Sequence, residues 1–191
     1  NPKINKINLT LEELDIIQLN EFSSIIKPSN FKSFLNNKIK EGKLVSEIEI
    51  FLDEKGFFKD FIAKGKVKDL HAKFFSNLNL TKTNLSFFAD KNDILLKSIN
   101  GKFEDIKISD GDIKLNLENG ITINSNFNSN LKLNKTLLKK YEKFFDKINF
   151  LPKLNSIEAN LANNFYIAFD KTYKLIDYNY SLSGRLIKSE L

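Results

Sequence analysis

Three stretches of this chain repeat one pattern of apolar and polar positions. Leu85–Phe103 (LSFFADKNDILLKSINGKF) alternates, breaks at Asp90-Lys91-Asn92-Asp93, resumes, and closes on Gly101. Ile48–Val67 breaks at Asp53-Glu54-Lys55-Gly56 and closes on Gly65, and Ile167–Leu186 breaks at Asp170-Lys171-Thr172-Tyr173 and closes on Gly184. In each, two strand-like runs flank an Asp-led turn, then come glycine, a basic residue and an apolar one, the pattern of a repeated β-hairpin.

In chain order, Ile4–Leu9 alternates weakly and predicts a short strand. Thr10 with Glu13 has the spacing of a capping box, and Leu11, Leu14, Phe22, Ile25 and Ile26 fall on one helical face, so a helix is expected from about Leu11 to Ile26, ended by Pro28. Ser29 is placed to cap a second helix over 30–39, with Phe31, Phe34, Leu35 and Ile39 as its stripe and Gly42 as its stop. From Leu44 the period becomes two. Ser46, Ile48, Ile50 and Leu52 share one face and Val45, Glu47, Glu49 and Phe51 the other, as in an antiparallel sheet wet on one side.

The segment after Gly65 (Lys66–Ala72) aligns with the segment after Gly101 (Lys102–Ile108) at an offset of 101 − 65 = 36. A glycine inside a strand marks a bend or bulge, so each repeat is expected to bend there. Leu78–Ala89 and Ile94–Ile108 predict strands, Ser109-Asp110-Gly111-Asp112 a hairpin turn, and Glu118-Asn119-Gly120 another. Ile113, Leu115 and Leu117 alternate cleanly with Lys114 and Asn116. Ile121, Ile123, Ser125, Phe127, Ser129, Leu131 and Leu133 make a long half-apolar strand. Asn134 caps a third predicted helix, 135–148, and a last hairpin covers about Ile157–Leu186. The expected fold is mainly β: an elongated, curved antiparallel sheet of nine or ten strands with two or three peripheral amphipathic helices. Along the chain this divides into a helical segment (1–43), a hairpin sheet (44–133), a helix and linker (134–152) and a further hairpin of the same sheet (153–191).

Composition changes this picture little. The chain has 191 residues, enough for one domain or for a slice of a longer repeat protein, and without an initiator Met it reads as an excerpt. No window reaches the roughly 18–20 consecutive apolar residues of a membrane span. The net charge is +6, but Arg185 is the only arginine, and lysine with abundant Asn, Ile and Phe is what A/T-rich codons supply. A phosphate-reading surface favours Arg forks, so no nucleic-acid partner is inferred. The basic runs Lys38–Lys43 and Lys132–Lys143 could meet anionic headgroups, but solvated faces explain them more simply. There is no cysteine, hence no disulfide and no thiolate metal site.

Catalytic signatures are nearly absent. His71 is the only histidine and lies in a strand-like run without an evident acid–base partner. Asp110-Gly111-Asp112 lacks the twelve-residue ligand pattern of a calcium loop. No phosphate loop, nucleophile elbow or zinc spacing occurs, so no catalytic residue, metal or cofactor is assigned. What stands out is 18 phenylalanines, several in adjacent pairs such as Phe57-Phe58, Phe74-Phe75 and Phe87-Phe88.

The motif Gly-Lys-Val-Lys-Asp-Leu (65–70), followed by Leu78–Ala89 and by Gly-Lys-Phe-Glu-Asp-Ile (101–106), resembles the AsmA-like family of bacterial envelope proteins, in particular the large YhdP and TamB type. The stretch 14–28 (LDIIQLNEFSSIIKP) with Gly42-Lys43-Leu44 resembles that family as well. The likeness covers about Leu11–Leu133 and, more weakly, Ser156–Leu186. It implies an elongated β-groove, or β-taco, in the periplasm of a Gram-negative bacterium. The parent chain would be held by an inner-membrane anchor outside this stretch and would conduct phospholipid to the outer membrane. The family brings no catalytic residues.

Two readings of the apolar face follow. In one, the face stays open as a trough for phospholipid acyl chains, lined by Ile48, Ile50, Leu52, Leu85, Phe87, Ile113, Leu115, Leu117, Ile121, Ile123 and Phe127. In the other, helices close it, and the edge strands pair with neighbouring repeats of the same chain in a structural module. A carbohydrate-active enzyme would need a carboxylate pair in a cleft, whereas the acids here sit in turns or on polar faces.

Overall fold

The computed structural model describes residues 4–18, 38–74, 78–140, 155–172 and 174–190. Its nine strands are β1 (Lys6–Asp15), β2 (Ile39–Leu52), β3 (Phe58–Phe74), β4 (Leu78–Asp90), β5 (Asp93–Phe103), β6 (Ile106–Asn116), β7 (Ile121–Asn134), β8 (Ser156–Phe169) and β9 (Leu175–Glu190). They form one sheet in strict sequence order, β1 to β9. Every neighbouring pair is antiparallel. The sheet is open, with β1 and β9 as its edges.

The Asp-led turns fold for a local reason. Asp53 Oδ1 accepts the backbone N–H groups of Lys55 at 2.8 Å and Phe57 at 2.9 Å. Asp90 Oδ1 accepts those of Asn92 and Asp93, both at 2.8 Å. Asp170 Oδ1 accepts those of Thr172 at 2.8 Å and Lys174 at 3.1 Å. A short carboxylate satisfying amides two to four residues on stands in for a backbone turn bond. These turns, together with 117–120, gather at one end of the sheet, because each follows an even-numbered strand. At the opposite end lie the β5–β6 turn and the helix α1 (Lys135–Lys140), which follows β7. Asn134 Oδ1 accepts the N–H of Leu137 at 3.0 Å, the cap expected from the sequence.

Several expectations are corrected. The helix from Leu11 does not form over residues 11–15, which belong to β1 and pair with β2 from Ser46 back to Lys43. Thr10 and Glu13 therefore build no capping box. Pairing with β2 overrides a local signal worth about 1 kcal/mol. Ile39 opens β2, ahead of residue 44, and Gly42 lies inside that strand. The rest of the two expected N-terminal helices, 19–37, lies outside the described residues, as does the third helix beyond Lys140. Ser109–Asp112 is not a turn but the middle of β6. The chain reverses at Glu104-Asp105 instead.

The Asp-Gly pair that suggested a turn forms a bulge instead, with Asp110 at φ 53°, one of a series. Register shifts fall between Leu11 and Leu14, Val67 and Leu70, Thr81 and Asn84, Leu96 and Ile99, and Ser109 and Asp112. Inside each lies one non-glycine residue at positive φ: Glu13, Asp69, Lys82, Ser98 and Asp110. Neighbouring strands supply acceptors for three of the displaced amides. Asn84 Oδ1 takes Asp69 N–H at 3.1 Å, Asp112 Oδ1 takes Ser98 N–H at 3.1 Å, and Asn100 Oδ1 takes Asp110 N–H at 3.3 Å. A bulge bends its strand and increases its twist. Repeated in β1, β3, β4, β5 and β6, the device marks a line of bending across the sheet.

Candidate apolar binding face

Directly paired residues in an antiparallel sheet share a face. One cross-strand row runs Leu9, Ile48, Ala63, Ala89, Ile94, Leu115, Ile123, Ile167, Tyr178. The next runs Leu11, Ser46, Gly65, Phe87, Leu96, Ile113, Ser125, Phe165, Tyr180. Two residues along each strand, the same face holds Ile50 opposite Phe61, Leu85 opposite Val67, Ile121 opposite Phe169 and Phe127 opposite Asn163. Leu52 and Leu117 finish it at the tight-turn end. All eleven residues chosen from the sequence thus lie on one face, ten of them in β2, β4, β6 and β7 and Leu117 just past the end of β6. Leu117 is exposed and the other ten are half-buried.

The same face also carries residues the alternation did not single out. Ala63, Ala89, Leu96, Phe165 and Ile167 continue the apolar rows, and Tyr178 and Tyr180 extend them onto β9. Toward the opposite end the face becomes buried, at Leu44, Ile99, Leu133 and Ala159. There Leu138 of α1 packs against Leu131, Leu133 and Ile157.

Among the described residues four polar ones are buried: Ser46, Thr83, Ser129 and Asn163. Each makes at least one internal side-chain hydrogen bond, as burial requires. Ser46 Oγ donates to Lys64 O at 3.1 Å and Thr83 Oγ1 to Thr81 O at 3.1 Å. Asn163 Nδ2 donates to Phe127 O at 3.1 Å and Ser129 Oγ at 3.0 Å, while Tyr180 O–H donates to Asn163 Oδ1 at 2.9 Å. Burial raises the pKa of the Tyr180 phenol, which stays a neutral donor. The only trace of this knot in the sequence is Asn163 standing in phase with Leu161, Phe165 and Ile167.

The other face is polar. Lys6–Glu49, Lys64–Glu47, Lys97–Asp112 and Lys132–Glu158 pair across strands at 2.6–2.9 Å. Exposed pairs of this kind contribute about 0–1 kcal/mol each; their consequence is a wetted surface. Val45, Phe51, Ile62, Phe88 and Leu95 are apolar exceptions in it. A shallow depression of about 260 Å³ lies on this side beside β9, over Asn124, Asn126, Asn164, Tyr166, Asn179 and Ser181. His71 is half-buried on β3, its Nδ1 3.6 Å from Glu41. Among the described residues no three His, Asp or Glu side chains converge as a metal-ligand set. No described helix is long and apolar enough to cross a membrane. Comparison of the chain with protein-family models, with curated proteins and with solved structures gives no match.

Proposed function

We propose that the chain is a non-enzymatic lipid-handling module of the cell envelope, whose apolar sheet face takes phospholipid acyl chains along its tight-turn half. The observation that carries this reading is the row Ile48, Ala63, Ala89, Ile94, Leu115, Ile123, Ile167. These aliphatic side chains follow one another across consecutive pairings and, Ala63 apart, are less than fully buried. An acyl chain laid across such a row stabilises its complex by about 0.8 kcal/mol per buried CH₂. The bulge line supplies the bending that turns a flat sheet into a groove. The periplasmic setting, the inner-membrane anchor and transfer toward the outer membrane rest on the AsmA-like resemblance alone.

Uptake of a fluorescent phospholipid by delipidated protein tests the reading. Saturable binding is expected, with a loss of at least about ten-fold in Leu115→Asp, since ten-fold equals about 1.4 kcal/mol, less than two buried CH₂ groups. Lys114→Asp, on the opposite face, should bind as the parent does. No uptake, or full uptake by Leu115→Asp, counts against the proposal.

A second reading, a structural module with a closed core, is favoured by the packing of Leu138 on Leu131, Leu133 and Ile157. It expects the whole face to be dry and no lipid to accompany the protein.

A further inference from the structure

We infer that the shallow depression on the polar face of β7, β8 and β9 is a binding site for a neutral saccharide, held by the side-chain amides of Asn124, Asn126, Asn164 and Asn179 with the ring of Tyr166 as its platform.

Asparagine is disfavoured in strands, so its presence there asks for a use. Among the described residues of β4 to β8, every other strand asparagine on the polar face is engaged within the protein. Asn84 and Asn100 hold bulge amides, Asn116 donates to Asp93 at 3.0 Å, Asn128 to Asp110 at 3.3 Å, and Asn130 to Asn160 at 2.7 Å. Asn79 donates to Glu104 at 3.0 Å, and Asn134 caps α1. By contrast, Asn124, Asn126, Asn164 and Asn179 are exposed, and their side-chain amides have no hydrogen-bond partner among the described residues. These four amides line the same depression.

The register sets them in a grid. Asn124, Tyr166 and Asn179 are direct partners across β7, β8 and β9, and so are Asn126, Asn164 and Ser181 two residues along. With strands about 4.8 Å apart and a rise of about 3.3 Å per residue, the grid measures about 10 Å by 7 Å. Each amide offers two N–H donors and a carbonyl acceptor on a short stem, which matches hydroxyls that both donate and accept. Tyr166 is half-buried and supplies an apolar ring for the C–H side of a sugar and a hydroxyl for its rim. The depression of about 260 Å³ falls short of the roughly 300 Å³ at which small-molecule pockets begin, so it seats one ring of a longer glycan.

No charged side chain among the described residues lines the depression. Lys114 and Asp112, the β6 partners of Asn124 and Asn126, are paired with Asp93 and Lys97. A phosphate or carboxylate would therefore find no free cation in it. Four of the six residues stand on β7 and β8, which are paired on both sides, and all six project from the face of the sheet and not from its edge. The acyl row lies on the opposite face, so this site stands or falls separately from it.

Titration of isotope-labelled chain with chitotriose and, separately, with maltotriose, followed by heteronuclear NMR, tests the proposal. Saturable shifts of the four side-chain amides are expected with at least one of the two sugars. Asn126→Ala and Asn164→Ala should each weaken binding by about two- to ten-fold, the range of one hydrogen bond. Tyr166→Ala should weaken it more than Tyr166→Phe, which keeps the ring. Asn130→Ala, on the same face but outside the depression, should bind as the parent does, and so should Leu115→Asp on the other face. Positions 126 and 164 are exposed, and backbone spectra dispersed like the parent's check the fold. No shift with either sugar, or full binding by the Asn126→Ala, Asn164→Ala double variant, overturns the proposal. Shifts produced by inorganic phosphate or by an extended peptide in place of both sugars overturn it as well.

Discussion

The ring of Phe87 lies over Gly65. The two are direct partners across β3 and β4, and a Cβ built on Gly65 would stand 2.9 Å from both Cε1 and Cζ of that ring. It would also collide with the carbonyl oxygen of Val45. Glycine is thus required here for close approach, and the aromatic ring covers the backbone that glycine leaves bare. Gly65→Ala should destabilise the chain by about 1–3 kcal/mol, the usual cost of overpacking. Urea unfolding measures it. Adding Phe87→Ala should give less than the sum of the two single effects, since the ring is one of the two obstacles.

The bulge line makes its own prediction. Asn84→Ala removes the acceptor of the Asp69 amide and should cost about 1 kcal/mol. Hydrogen exchange at Asp69 should accelerate while amides of β8 keep their protection. An unchanged rate at Asp69 would mean the side chain does not hold the bulge.

Among the described residues, three aspartates tie stability to pH. Asp90 is held below the ordinary carboxylate range by the backbone N–H groups of Asp93 and Asn92, and Asp112 first by the Lys97 ammonium. Asp170 is lowered first by the Thr172 hydroxyl, then by the amides of Lys174 and Thr172. A carboxylate whose pKa is lower folded than unfolded adds stability above the unfolded value, about 3.9 for Asp, and loses it as pH falls through the folded value. The melting temperature should therefore drop below about pH 4. Asp90→Asn should flatten that drop and lower the melting temperature at pH 7. A parent melting temperature that is flat down to pH 2 would contradict this.

How much of this was legible beforehand depends on the kind of signal. Period-two alternation showed which residues share a face within a strand, such as Ile113 with Leu115 or Ile121 with Ile123, because the pleat admits no other arrangement within a regular run. That Ile48, Phe87, Leu115 and Ile123 share a face across strands comes from the cross-strand register, which alternation does not carry. The turns at Asp53, Asp90 and Asp170 were legible because the side chain that marks each one also closes it. The bulges were not. Lys82 and Ser98 are ordinary strand-surface residues, and their positive φ is imposed by pairing with neighbours far along the chain. For the same reason the two Gly-Lys motifs, alike over six residues, fold differently. In 65–70 the strand runs on through a bulge at Asp69, whereas 101–106 leaves β5 and reverses at Glu104-Asp105. Thr10 and Glu13 misled in the opposite way: a local helix signal yields to a strand partner thirty or more residues on.

Native mass spectrometry of gently purified protein tests the central claim, that the apolar face accepts acyl chains, most directly. The account predicts phospholipid-sized mass additions that survive mild activation in the parent and in Lys114→Asp and are lost in Leu115→Asp. A bare polypeptide mass in the parent, under conditions that keep the sheet folded, would contradict it.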